Sequence, residues 1–255
     1  MTPAVAVTVA GTDSGGAAGI AADLTTFAAL GVHGACVVTA VTAQDTTGVR
    51  DVHAVPLATV AAQLDAVLDD LPVAAVKTGM LGTPEVVELL ARRLAGTTLV
   101  VDPVLVATSG AVLGDEEVVA AYRAHLLPAA TVVTPNAGEA GVLLGHDADP
   151  ATAAAALADL GPAVVLTGGG TEGTCTDWLA LPGQRPVART HRAVPTTNDH
   201  GTGCTFSAAL AAHLARGADL DAAVHHAGLF TVRQLDASRR WTLGRGRGPV
   251  AHTTT

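Results

Sequence analysis

Short valine-rich runs alternate with longer alanine- and leucine-rich stretches along this chain, and most of the short runs end at glycine, proline, aspartate or asparagine. Residues 4–10, 37–41, 73–76, 98–101, 131–133 and 164–166 read as strands, while residues 20–30, 60–71, 85–94, 122–127 and 151–158 carry helical spacing or helix-forming composition. Continuous apolar strands suit a sheet covered on both faces. The alternation therefore predicts an α/β fold in which a mostly parallel sheet is sandwiched between helices, three layers in all. It is read as one domain over residues 1–255 without a separate lid. Ligands of such a sheet sit outside the carboxyl ends of its strands. Residues 174–190 differ, with two strand-like pieces around Leu181-Pro182-Gly183-Gln184, and read as a hairpin on the sheet edge. Two helices, from Gly203 to Gly217 and from Asp219 to Leu235, close the chain's regular pattern.

Composition narrows the rest. Hydrophobic residues make up 49% of the 255 but aromatics only 2%, so Ala, Val and Leu must fill the core. The net charge is −9, and Lys77 is the only lysine among the fourteen basic residues. Scattered arginines on an acidic chain exclude a nucleic-acid or anionic-membrane surface, which needs clustered positive charge. The Arg/Gly stretch 239–248 is short and holds one aromatic, which does not suit RNA. No apolar run reaches the roughly 18 residues of a membrane span, and residues 4–10 lack the basic flank of a signal peptide. Cys36, Cys175 and Cys204 are odd in number and widely spaced, which fits a reducing, cytoplasmic setting and no zinc knuckle. The adjacent His225 and His226 point in different directions on a helix, and no histidine pair has zinc-motif spacing.

Three groups of residues could carry chemistry. In Asn198-Asp199-His200-Gly201-Thr202-Gly203-Cys204 the glycines precede a helix, so backbone N–H groups and the helix dipole could make an anion cradle. The same field would favour a Cys204 thiolate. A plain turn with a buried cysteine explains the stretch equally well. Gly11 to Gly19 is a second glycine-rich loop between strand and helix. It has neither G-x-G-x-x-G spacing nor a Walker lysine, so neither a dinucleotide enzyme nor a Walker nucleotidase is indicated. No G-x-S-x-G occurs either. Asp102 and Glu139 follow strands and could serve Mg²⁺, although Asn136 with Glu139 three residues on also fits a capping box.

Taken in order, these motifs resemble the hydroxymethylpyrimidine and phosphomethylpyrimidine kinases of thiamine biosynthesis, within the ribokinase-like superfamily. The residues that carry the likeness are Ala10-Gly11-Thr12-Asp13, Ala22-Asp23-Leu24, Thr39 to Thr46, Val76 to Leu81, Asp102-Pro103-Val104, Thr134-Pro135-Asn136 with Glu139, Asp177-Trp178-Leu179, His200 to Cys204, and Gly248 to His252. They span nearly the whole chain. The resemblance implies phosphorylation of 4-amino-5-hydroxymethyl-2-methylpyrimidine and of its monophosphate by ATP. By the same resemblance Gly11, Asp23, Gln44, Met80 and Val104 would hold the pyrimidine. Asn136, Thr167, Gly169 and Thr202 would contact ATP, and Asp102 and Glu139 would bind Mg²⁺. Cys204 would be the base, with Gly201, Thr202 and Gly203 completing an anion hole. A homodimer is also implied, with no nucleic-acid or membrane partner. The alternatives are a pyridoxine or pyridoxal kinase of the same superfamily and a non-catalytic pyrimidine sensor. Two departures stand out: Thr167-Gly168-Gly169-Gly170 replaces a family Lys-Gly-Gly-His, and Asp199 replaces a threonine.

Overall fold

The computed structural model describes residues 2–105, 114–169 and 173–252. In chain order the elements are β1 (Val5–Gly11), α1 (Gly19–Ala29), β2 (His33–Asp45), β3 (Gly48–Ala54), α2 (Leu57–Asp70), β4 (Val73–Thr78), α3 (Pro84–Arg93) and β5 (Leu99–Val101). There follow α4 (Glu116–Ala121), a π-turn over Tyr122–Leu126, α5 (Leu127–Ala129), β6 (Val132–Val133), α6 (Ala137–Leu144), α7 (Pro150–Ala158) and β7 (Ala163–Leu166). The chain then forms β8 (Thr174–Ala180), β9 (Val187–Arg192), α8 (Thr202–Ala215) and α9 (Leu220–Ser238). Among the described residues nine strands form a single sheet in the order β3-β2-β1-β4-β5-β6-β7-β8-β9. Its middle, from β2 to β7, is parallel, and β3, β8 and β9 join antiparallel at the two edges.

The expected three layers are present, and side-chain alternation explains them. Val7, Val76, Val101, Val133 and Val164 join the core under α2, α3, α6 and α7. Their strand neighbours Ala6, Val100, Val132 and Val165 join the opposite core under α8 and α9. Helix α8 is buried nearly all round: Ala208, Ala209, Ala211 and Ala212 let it lie close to the sheet, α1 and α9. That close approach is what an interior poor in aromatics permits. Helix starts follow the sequence: Thr83, Asp115, Asn136, Asp149 and Asp219 each accept a backbone N–H at the first turn of their helix.

Several boundaries differ from the sequence reading. β2 runs to thirteen residues where 37–41 is expected, because it continues past the sheet body into a ribbon paired with β3. β3 itself has little apolar periodicity and is largely exposed, so it leaves no signal. The helix expected at 122–127 begins earlier, as α4, and passes through the π-turn. The edge hairpin forms as expected, from β8 and β9. The Arg/Gly stretch folds back on the domain: the N–H groups of Arg245 and Gly246 donate to Thr46 Oγ1, and Val250 and Ala251 are buried. Among the described residues no helix is long and apolar enough to cross a membrane.

Candidate active site

The chain turns from β1 toward β2 on one side and from β4 toward β5 on the other, so a crevice opens at the carboxyl ends of β1 and β4. A cavity of about 720 Å³ lies there. Its wall includes Gly11, Gln44, Met80, Asp102, Val104, Asn136, Glu139, Thr167, Gly169 and Gly201 to Cys204. Val142, Val194, Val232 and Leu235 give it an apolar stretch. Gly170 lies outside the described residues.

Two helix N-termini face this cavity without a side-chain cap, those of α1 at Ala18 and of α8 at Gly201. The Thr202 N–H donates to the Asp199 carbonyl at 3.2 Å and the Gly19 N–H is directed at Cys204, and no capping side chain stands between these helix ends and the cavity. Glycine makes the approach possible. Gly201 has φ +88°, and a Cβ there would stand 1.8 Å from the Ala17 carbonyl oxygen; one on Gly19 would stand 2.3 Å from that of Gly11. Asp13 fastens the first loop, accepting the N–H groups of Gly15, Ala17 and Ala18. Burial acts to raise its carboxyl, but hydrogen bonds from His200 and these amides hold it below its ordinary value. His200 Nε2 lies 3.3 Å from Asp13 and 2.9 Å from the Gln44 side-chain nitrogen, which ties the two glycine loops to the end of β2.

Beneath Cys204 lies a buried ionic network. Lys77 is wholly buried, with its ammonium 2.9 Å from both carboxylate oxygens of Asp23 and 3.7 Å from Asp102. Thr8 donates to Asp23, and Ser207 donates to Asp102 at 2.8 Å. Burial opposes the Lys77 charge, yet Asp23, Cys204 and Asp102 together hold it above its ordinary value. Burial likewise pushes the Asp23 and Asp102 carboxyls up against the pull of Lys77. This corrects the assignment of Asp23 to a ring contact: fully buried and absent from the cavity wall, it serves as the counter-charge of Lys77. Burial pushes the Cys204 thiol up to about 12, against the pull of Lys77 and the Gly19 N–H.

Asp102 and Glu139 both face the cavity. Burial first, and Asp102 second, push the Glu139 carboxyl up to about 8. Glu139 also completes a capping box with Asn136, as the spacing of that pair allows. Thr167 bridges to Asn136, its N–H donating to the Pro135 carbonyl at 2.9 Å. Asp199, whose role the sequence leaves open, is paired with Arg247 of the C-terminal segment through both of its oxygens. Its charge is thus neutralised by an arginine 48 residues away, which no local pattern announces.

Residues 13–251 match the family described as phosphomethylpyrimidine kinase. The chain is 46% identical to a hydroxymethylpyrimidine/phosphomethylpyrimidine kinase of Synechococcus elongatus, over 99% of this chain and 98% of that one. It is 47% identical to the enzyme of the same name from Rhizobium meliloti, over 98% and 97%. Among solved structures it resembles Bacillus subtilis pyridoxal kinase in complex with ADP, with a TM-score of 0.91 and 36% identity, covering 99% of this chain and 98% of that one.

Proposed function

The chain belongs to the phosphomethylpyrimidine kinase family, and on that premise we propose that it transfers the γ-phosphoryl group of ATP to 4-amino-5-hydroxymethyl-2-methylpyrimidine and then to the monophosphate. The observation that carries this reading is the meeting of two uncapped helix N-termini around Cys204, above the buried Lys77. Such a corner offers fixed N–H donors to phosphate oxygens without a mobile cation. It also supports triphosphate binding by an acidic chain with threonine at position 167.

The pyrimidine lies between Gly11, Gln44, Met80 and Val104. Met80 is held by its carbonyl, which accepts from Thr39 at 2.6 Å, and its methyl group packs on Gly11. Cys204 sulfur takes the proton of the hydroxymethyl group as the oxygen forms its bond to the γ-phosphorus and the bond to ADP breaks. Lys77, the Gly19 N–H and the dipole of α8 all stabilise the negative sulfur that must precede this step. The N–H groups from Gly201 to Cys204 face the transferring group, while Asn136, Thr167, Gly169 and Thr202 position the nucleotide. Asp102 and Glu139 offer only oxygen donors and crowd two carboxylates together, a donor set that fits Mg²⁺. An Mg²⁺ ion held by Asp102 and Glu139 would neutralise charge on the phosphate oxygens.

Mass analysis of the products after incubation with ATP, Mg²⁺ and the pyrimidine tests the proposal. The expected products carry one and then two phosphates, and Cys204→Ala should slow transfer by about 10²-fold or more. No phosphorylation, or kcat/KM favouring pyridoxal, would overturn the pyrimidine assignment. We further place the protein in the cytoplasm as a homodimer, built on the β2–β3 ribbon whose Val41 and Val52 stand exposed. A light-scattering mass tests the dimer.

A further inference from the structure

The β8–β9 hairpin carries a cluster that the phosphoryl-transfer reading leaves unused. Cys175 and His191 are directly paired across the two strands, and Asp177 lies two residues along on the face that Cys175 occupies. The sulfur, a carboxylate oxygen and an imidazole nitrogen lie within 4.8 Å of one another. Cys175 and Asp177 are buried, and all three residues line the cavity wall. Their supports are arranged as around a bound metal. The second Asp177 oxygen accepts the Gly168 N–H at 2.7 Å, and His191 Nδ1 sits 3.3 Å from the Arg192 carbonyl, leaving Nε2 turned inward, 3.2 Å from Asp177. A backbone carbonyl on the outer nitrogen of a ligand histidine is the usual device for fixing its tautomer. A side chain at 168 would collide with this arrangement, its Cβ 2.2 Å from the Thr176 oxygen and 3.1 Å from Cys175 Sγ.

We propose that Cys175, Asp177 and His191 form a binding site for a borderline-soft divalent cation, Zn²⁺ being the best match. One sulfur, one nitrogen and one oxygen donor fill three tetrahedral positions, and the fourth faces the cavity and takes water. This site is separate from the oxygen-only pair Asp102 and Glu139. It does not depend on the kinase assignment. Binding displaces the thiol proton of Cys175 and any proton on His191 Nε2 to solvent, with no change of oxidation state.

Cobalt(II) titrated into the full-length, reduced, metal-stripped protein under excess Mg²⁺ reads the site directly. The expected result is a thiolate-to-cobalt charge-transfer absorption saturating at a single ion per chain and abolished by competing Zn²⁺. It should vanish in Cys175→Ser, weaken at least about tenfold in His191→Ala, and persist in Cys204→Ser. Circular dichroism checks the fold of each variant; should Cys175→Ser not fold, His191→Ala and Asp177→Asn decide on the same readout. No charge-transfer band, or a band that follows Cys204 or Cys36 instead, would overturn the proposal.

Discussion

Replacing Lys77 by methionine removes the cation at the centre of the buried network while keeping its volume. Among the described residues Asp23 then keeps the Thr8 hydroxyl and Asp102 that of Ser207 as hydrogen-bond donors, both carboxylates being almost without solvent contact. Breaking one side of a buried ion pair costs about 3–5 kcal/mol, because the remaining charge is left uncompensated. That is a large part of the ~5–15 kcal/mol that holds a domain together. With about 4 kcal/mol lost and a urea slope of about 3 kcal/mol per molar, the midpoint of unfolding should fall by about 1.3 M at pH 7. The loss must also depend on pH. Without Lys77 the Asp23 carboxyl is raised further above its value in the unfolded chain. The deficit is therefore smallest below the ordinary carboxylate range and grows as pH rises. Adding Asp23→Asn to the variant should recover about 1–3 kcal/mol as a coupling energy. A deficit under about 1 kcal/mol, the worth of an exposed pair, or one that does not change between pH 5 and pH 8, would refute the reasoning.

Other consequences are open to measurement. In Gly201→Ala the new Cβ meets the Ala17 carbonyl at a left-handed φ, so phosphoryl transfer should fall at least about tenfold and thermal stability should drop by about 1–3 kcal/mol; wild-type kinetics would show that the loops need not approach so closely. With the Cys204 thiol near 12 in the free enzyme, kcat/KM should climb about tenfold per pH unit between pH 6 and 9. A plateau below pH 8 would assign the proton to another acceptor. Because Glu139 is raised to about 8 in the folded state, its contribution to stability is full below its unfolded value and is lost as pH rises toward 8. Urea midpoints should therefore decline over that window in the wild type and more gently in Glu139→Gln, which should also need more Mg²⁺ for half-maximal activity.

Much of the site is legible in the linear sequence because its parts are local. A glycine loop between strand and helix at 11–19, another at 201–203, and a capping pair at Asn136 and Glu139 each declare a backbone shape within a few residues. The same locality misleads at Asp23. It stands in a motif of the first helix, yet its place on α1 turns it inward onto Lys77 of β4, 54 residues on. The pairing of Cys175 and Asp177 with His191 also depends on strand register, which sequence spacing tuned to helical zinc motifs does not reveal.

By itself, then, the sequence determined the layered fold, the strands and helices with a clear hydrophobic period, and the glycine-rich loops that border the site, because hydrophobic period and glycine or proline punctuation act over one element at a time. Only the tertiary structure decided where charge resides. The chain's single lysine is not a surface group but the buried centre of the site's floor. Whether a charge is solvated, paired or stranded depends on neighbours far along the chain, and those distances exist only after the sheet has closed over them.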